Sequence, residues 1–498
     1  MRCCCLPFYC SVRSGAGAAG EQAILAPAAL TASRPTWVVL WAAAALLCGP
    51  LALPARAGPV GTIFSGAAAA DPAAVYWNPA AMTLLEGTRT LFYAGAFTTS
   101  VRYQRSSPSL LDGSIYPEAR FTIASARPTF ALVTDAGLRD WRFGLSFGIP
   151  TIDGVKWSYS YQGRPSSTRY HGLDPLFGEL LITTAAAYRL APWLSLALGF
   201  DVAGVLLRHR VVIDFGARTN ELICARLGVQ SCVINAPFAR EDPGNDGRVA
   251  VDGFGWGVGL TAGALLEPAP WLRLGLGVHQ NAGEVQIPAE TTVQVPPAIA
   301  SFVAQSLPGV ALPPLRAHAD VAVRVPVIVT AGVAVLPVQR LELGLDLHWM
   351  NLSATQTIVG VVRRSTTELI EDVVLTRGRS DFYLLALRGA YRVLPNFTTA
   401  LRLEYGTNTR PEEFVTPTSI DADRIVLSAG VGWQLLPWLR LYGEFSHFVI
   451  FARDVNVSRF APNANPTTAV EQSFDLPSPT GRYVPSADAL GVGVELGF

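Results

Sequence analysis

Ser446 and His447 stand side by side, a pair of residue types that could supply a nucleophile and its base. The stretch that holds them alternates apolar and polar residues, and neighbouring side chains on a strand point to opposite faces. The two groups therefore cannot act together. The remaining histidines (His171, His209, His279, His318 and His348) lack metal-ligand spacing. No glycine-rich phosphate loop stands between a strand and a helix. The expectation is a chain with no catalytic residue, no metal and no cofactor, hence not an enzyme. Of the seven cysteines, only Cys224 and Cys232 lie beyond residue 48. A lone close pair in an exported chain reads as a disulfide, with two free thiols as the alternative.

The elements that would position these residues announce themselves by repetition. Ala191-Pro192-Trp193-Leu194, Pro270-Trp271-Leu272, Leu336-Pro337-Val338, Leu394-Pro395-Asn396-Phe397 and Leu436-Pro437-Trp438-Leu439 are near copies. Each opens a run of period two. Leu341, Leu343, Leu345 and Leu347, for example, alternate with Glu342, Gly344, Asp346 and His348. A less proline-like turn covers Asp135 to Asp140. These turns, with both termini on their side, predict seven hairpins and so about 14 antiparallel strands, an even number that closes with no free edge. Long polar connections are expected at the other rim, near 104–119, 151–178, 206–251, 282–321, 353–379, 406–422 and 450–485. An aromatic beside a short turn, then a strand apolar on alternate residues, is the pattern of a membrane barrel's short-turn rim.

Composition agrees. Half of the residues are hydrophobic (50%) and only 15% are charged, against roughly 25% charged in soluble domains. Yet beyond residue 60 no apolar run approaches the ~20 residues of a spanning helix. The fold class expected is all-β membrane: a 14-stranded antiparallel outer-membrane β-barrel. Zero net charge without basic clusters argues against a nucleic-acid partner. Alternation runs to the end, Leu490 to Phe498. This aromatic-terminated strand is similar to those that bacterial barrels present to their assembly machinery, so that machinery is an expected partner through Phe498, and outer-membrane lipid is another.

Trp37 to Leu47 is a short apolar stretch followed by Pro50 and Ala55-Arg56-Ala57-Gly58. It reads as a secretory signal cut after Ala57. Residues 1–57 are thus a signal peptide with an over-extended N-terminus, 58–87 a separate N-terminal segment, and 88–498 the barrel with its long loops. The segment lacks period two but carries Phe64, Val75, Tyr76, Trp77 and Met82, too apolar to stay in water. Asn78 before Pro79 favours a turn, and Pro79 suits the first turn of a short helix over Ala80 to Leu85.

Asp71, an aromatic pair, then Asn78-Pro79-Ala80-x-Met82 between a signal and the first strand resemble the FadL/TodX (OMPP1) family of outer-membrane transporters. The usual Asn-Pro-Ala-Gly is Asn-Pro-Ala-Ala here. The resemblance implies a barrel whose N-terminal segment is a hatch plugging the lumen, carrying the motif residues Asn78, Pro79, Ala80 and Met82. Phe64, Tyr76 and Trp77 become candidate ligand contacts. It also implies a kinked third strand that opens a path through the wall, placed at Gly144, Gly148 and Pro150, with ordinary strand-end glycines as the alternative. Ile299, Phe302, Val303 and Leu307 share one helical face in a loop. The resemblance makes them a docking site for a ligand, while a helix packed on other loops is the equal alternative. The function implied is passive uptake of a hydrophobic small molecule in the bacterial outer membrane by loop capture, hatch rearrangement and lateral release. Long-chain fatty acids are the expected cargo. An aromatic-hydrocarbon channel of the same family, a general porin for hydrophilic solutes and an adhesive scaffold are the alternatives. Arg102, Arg105 or Lys156 could meet a carboxylate.

Overall fold

A computed structural model describes residues 60–498 apart from 218, 221–236, 307–314, 356, 366–372, 377 and 460–478. The predicted signal (1–57), Cys224, Cys232 and Leu307 lie outside the described residues. No described helix is long and apolar enough to cross a membrane.

The strands close into one antiparallel barrel of 14 staves. In chain order they are β1 (Thr88–Arg105), β2 (Ala119–Thr134), β3 (Trp141–Gly154), β4 (Leu176–Ala191), β5 (Leu194–Asp214) and β6 (Asp246–Ala269). Then come β7 (Leu272–Asn281, continued by Glu284–Gln294), β8 (Leu315–Arg324, continued by Ile328–Val338) and β9 (Leu341–Met350, continued by Thr357–Ser365). The last are β10 (Val373–Thr376 and Phe382–Leu394), β11 (Phe397–Gly406), β12 (Arg424–Leu436), β13 (Leu439–Ile450 and Arg453–Val455) and β14 (Gly481–Gly497). β1 pairs with β14 from Arg89↔Gly497 to Arg105↔Gly481, and Thr88 and Phe498 exchange two backbone hydrogen bonds of 2.9 Å. That seam leaves no edge at the termini to pair with another chain.

Period two sorts the faces. Leu198, Phe200, Trp256, Val258, Leu260, Leu401 and Leu490 project outward and are exposed, while Asp201, Thr261, Asp346, Arg402 and Glu404 point inward and are buried. An apolar outer belt of this extent suits lipid and would be a liability in water. Trp193, Trp271 and Trp438 sit exposed at the short-turn rim, where amphipathic rings favour the membrane interface. The proline turns are tight, with Pro192-Trp193, Pro270-Trp271, Pro395-Asn396 and Pro437-Trp438 each separating two strands. A register irregularity precedes each of these turns, as at Arg189/Ala191 and Gln434/Leu436, where one strand carries an extra residue.

The strands outrun the expected loop boundaries. β5 and β6 stay paired from His209↔Val251 to Asp214↔Asp246, inside the span 206–251 read as a loop. That stretch holds Arg208, His209 and Arg210, yet its pairing is continuous, and polar residues suit strands that stand clear of lipid. At the long-loop rim, buried ion pairs Arg105–Glu241 (2.6 Å) and Arg169–Asp246 (2.9 Å), with Tyr116 and Tyr170, knit three connections together.

Candidate functional site

Residues 60–87 lie inside the barrel, and most are fully buried. Helix α1 (Ala74–Trp77) runs into a 3-10 helix over Pro79–Leu84, close to the helix expected from Pro79. Asn78 between them is extended, with φ −164°. Its Oδ1 accepts from the Ala80 amide (3.2 Å), capping the second helix. Its Nδ2 donates to the Ala67 carbonyl (2.8 Å) within the segment and to the Ala264 carbonyl (3.0 Å) on β6. Only a side chain with both donor and acceptor does this. Asn78→Ala leaves those groups buried without their partner, at about 1–3 kcal/mol each. The variant should assemble normally, judged by heat-modifiable gel mobility, while uptake falls severalfold. Unchanged uptake by a well-assembled variant would refute the role.

The inner wall grips the segment's backbone with polar side chains. Glu444 accepts from the Ile63 amide (2.6 Å) and from the Tyr93 hydroxyl. Asp346 accepts from the Ala67 amide (2.9 Å), and Arg402 donates to the Ser65 carbonyl (2.8 Å). His279 bridges Asp201 (2.8 Å) and the Tyr76 carbonyl (2.6 Å), and Thr330 donates to the Trp77 carbonyl. Arg142 and Arg189 donate to the Leu85 and Thr83 carbonyls (2.6 and 2.5 Å). Wall glycines make room. A Cβ at Gly263 would strike Asn78, at Gly275 the Ala67 carbonyl, and at Gly277 the Trp77 carbonyl. Within the segment, Asp71 accepts from Ser65 Oγ (3.0 Å) and the Ala73 amide (2.7 Å). Burial, reinforced by the Glu495 carboxylate, pushes its carboxyl up to about 6.

Above Val60 to Ile63 lies a cavity. Phe97, Val101, Phe121, Ile420, Val426 and Phe448 line it, together with three guanidinium groups (Arg127, Arg402 and Arg424) and the carboxylates of Glu404 and Glu444; Arg402 is tied to Glu404 at 2.6 Å. The wall beside it is incompletely paired. β2 meets β3 only from Phe130↔Phe147 to Thr134↔Phe143. Beyond Phe147, β3 keeps its β4 partner but, among the described residues, has none on β2. The register of β3 on β4 slips by one residue between Gly148 and Thr151. Ile149 and Pro150 occupy that bulge, and Ile149 lines the cavity.

This geometry redistributes the residues predicted from sequence. Gly148 and Pro150 flank the bulge, but Gly144 does not kink. It pairs regularly with Val133 and Ala185, and it is small because a side chain there would strike Met82 and Val75. A Cβ at Gly148 would lie 2.9 Å from Val60. Tyr76 and Trp77 are buried below the cavity instead of lining it. Tyr76 stacks on His279, and Trp77 donates to the Val60 carbonyl (2.7 Å) and packs edge-on against His348. Phe64 faces a different recess. The segment's contribution to the cavity is Val60 to Ile63, residues with no feature in the sequence to mark them.

Helix α2 (Pro297–Ser306) forms as its apolar spacing predicts. Its face is partly covered: Ile299 is buried, and Phe302 packs edge-on against Phe238 at 5.1 Å. Val303 is half-buried. That is the packing of the capping alternative. Of the suggested carboxylate partners, Arg105 is tied to Glu241, and Arg102 and Lys156 are exposed; none lines the cavity. Arg127 and Arg424 were legible only as inward positions of period-two strands. Ser446 lines the cavity, whereas His447 faces outward and meets Asp488 at 2.7 Å.

The sequence profile of the outer membrane protein transport protein family (OMPP1/FadL/TodX) matches residues 42–477. No curated protein matches the chain in sequence. Among solved structures, a Pseudomonas aeruginosa FadL homologue is similar, with a TM-score of 0.69 at 16% identity, covering 89% of this chain and all (100%) of that one. The Pseudomonas putida toluene transporter TodX superposes with a TM-score of 0.57 at 14% identity, covering 86% of this chain and 94% of that one. The Ralstonia pickettii toluene transporter TbuX gives a TM-score of 0.53 at 15% identity with the same coverage, 86% and 94%. The profile match spans most of the chain and the barrels share one fold, so the chain belongs to the OMPP1/FadL/TodX family, whose members transport hydrophobic compounds across the bacterial outer membrane and are not enzymes.

Proposed function

We propose that this protein takes up long-chain fatty acids passively. The observation that supports this is the composition of the cavity above Val60 to Ile63. Its wall carries aromatic and branched aliphatic side chains that suit an alkyl chain, and, with Glu404 held by Arg402 and Glu444 by the Ile63 amide, the guanidinium groups of Arg127 and Arg424 suit a carboxylate. Toluene and similar hydrocarbons would gain nothing from the buried guanidinium groups. In this reading the long loops admit the ligand, the cavity holds it, and residues 60–63 yield as it arrives. These residues have fewer ties to the wall than residues 76–85. The acid then leaves between β2 and β3, past Ile149, into the outer leaflet without contacting water.

Equilibrium binding of oleate and of toluene to the purified chain in a non-ionic detergent tests the cargo. Oleate should bind, and Arg424→Gln should weaken it about tenfold, the worth of one charge-assisted hydrogen bond. Toluene binding should be weak and indifferent to the substitution. Tight toluene binding with no response of oleate to Arg424→Gln would instead support the aromatic-hydrocarbon reading.

A further inference from the structure

A second recess lies at the short-turn mouth of the lumen, on the other side of the segment from the cavity. Adjacent residues of the segment divide the two spaces: Ile63 lines the cavity, and Phe64 lines the recess. The recess wall is chemically sorted. Phe64, Leu336, Leu341 and Ala390 make an apolar part, and Arg340, Arg388, Arg392 and Arg440 make a cationic part. One acid lines the recess with them, Glu342, and it is held by Arg388 at 2.8 Å and lies 3.8 Å from Arg273. Arg340 and Arg392 are exposed and adjacent across β9 and β10, joined through the Arg392 amide and the Arg340 carbonyl (2.8 Å); neither forms an ion pair among the described residues. Arg440 stacks over Phe64 at 5.3 Å. Arg388 is only 2% exposed, yet its Nε has no hydrogen-bond partner among the described residues.

Arg388 and Arg440 have Glu342, Asp346 and Asp71 as carboxylate neighbours, whereas the exposed Arg340 and Arg392 add positive charge with no ion-pair partner among the described residues, a surplus that an anion would join. The Nε of Arg388 is an unanswered donor buried behind the recess wall. A simple inorganic anion would answer the charge but leave the apolar part idle. We infer that this recess binds an anionic amphiphile, with its headgroup among Arg388, Arg392, Arg340 and Arg440 and its apolar body on Phe64, Leu336 and Leu341. Two sources share that chemistry: a transported fatty acid that has passed the segment, and an anionic phospholipid of the membrane. The fatty-acid source rests on the cargo proposed above, whereas the site itself does not.

Photo-crosslinking separates the possibilities. The full-length chain in a non-ionic detergent is labelled with stearic acid carrying a terminal diazirine, and adducts are mapped by peptide mass spectrometry. Two adduct sets are expected, one on cavity peptides around Phe97 and Phe448, the other on peptides holding Phe64 and Leu341. Arg388→Gln should reduce the second set about tenfold and spare the first. Arg392→Gln, at an exposed position with no folding role, should reduce it severalfold and guards against a misfolded Arg388 variant. Stearyl alcohol with the same label should leave the recess unmarked. Adducts confined to the cavity, or recess adducts indifferent to both substitutions, overturn the inference and leave the cargo reading standing. Absence of cavity adducts overturns the cargo reading alone. Loss of recess adducts in nanodiscs containing phosphatidylglycerol, but not in phosphatidylcholine, assigns the site to lipid. Persistence in both assigns it to the transported acid.

Discussion

Deletion of residues 58–87 is expected to turn this barrel into a steady ion-conducting pore and to abolish concentrative binding of its ligand. The closure of the wall does not involve the segment: β1 and β14 pair along their full length, and Thr88 meets Phe498 directly. The barrel should therefore still assemble. What the deletion removes is the material that fills the lumen, from Val60 to Leu85, together with the partners of Glu444, Asp346, Arg402 and His279. Those side chains are charged or polar, and water replaces the lost partners readily. The interior then resembles a porin's, polar and wet, and conductance in planar bilayers should rise by roughly an order of magnitude or more over the intact chain. Val60 to Ile63 also floor the cavity, so oleate retention should fall with them. An intact chain that already conducts at the level of the deletion would instead favour the general-porin alternative. Unchanged uptake by the deletion would favour a scaffold whose loops do the work.

How much of this was legible beforehand differs by element. The wall was readable because a strand between lipid and lumen must alternate, and each proline turn prints that alternation's start. Asn78 was readable because a side chain that caps one helix and also donates twice is nearly irreplaceable, and its motif is short and contiguous. The cavity was not readable. Its residues come from β1, β2, β3, β11, β12, β13 and β14, and no local pattern joins Arg127 to Arg424. The glycines were misread for a similar reason. Gly144 looked like a strand breaker, yet its role is the space it cedes to Met82 and Val75, which are far away in sequence. The segment's backbone likewise lies against Gly263, Gly275 and Gly277, and no local pattern marks that contact.

The bulge in β3 gives the sharpest test of the lateral route, because the distortion amounts to one residue. Gly148 pairs with Leu181 and Thr151 with Glu179, so two residues of β3 oppose only Leu180 of β4. Pro150 is one of the two, and it has no amide to offer either neighbour. Deleting Pro150 restores a one-to-one register on β4 and should straighten β3. The next rung on β2, Thr129 opposite Gly148, then continues the ladder that now stops at Phe130↔Phe147. With the wall paired above Phe147, an acid in the cavity has no way past Ile149. Whole-cell uptake of oleate should fall roughly tenfold, in keeping with the loss of a gating step. Oleate binding to the purified protein should persist, since Arg127, Arg424 and most of the apolar lining keep their places. Lost binding together with lost uptake would mean that the deletion damaged the cavity, and Pro150→Ala, which restores the amide but keeps the extra residue, then serves as the milder variant. Wild-type uptake by a Pro150 deletion whose β3 is shown by structure determination to be fully paired would exclude this route. The ligand's exit would then have to lie through the lumen, past Ile63 and Phe64.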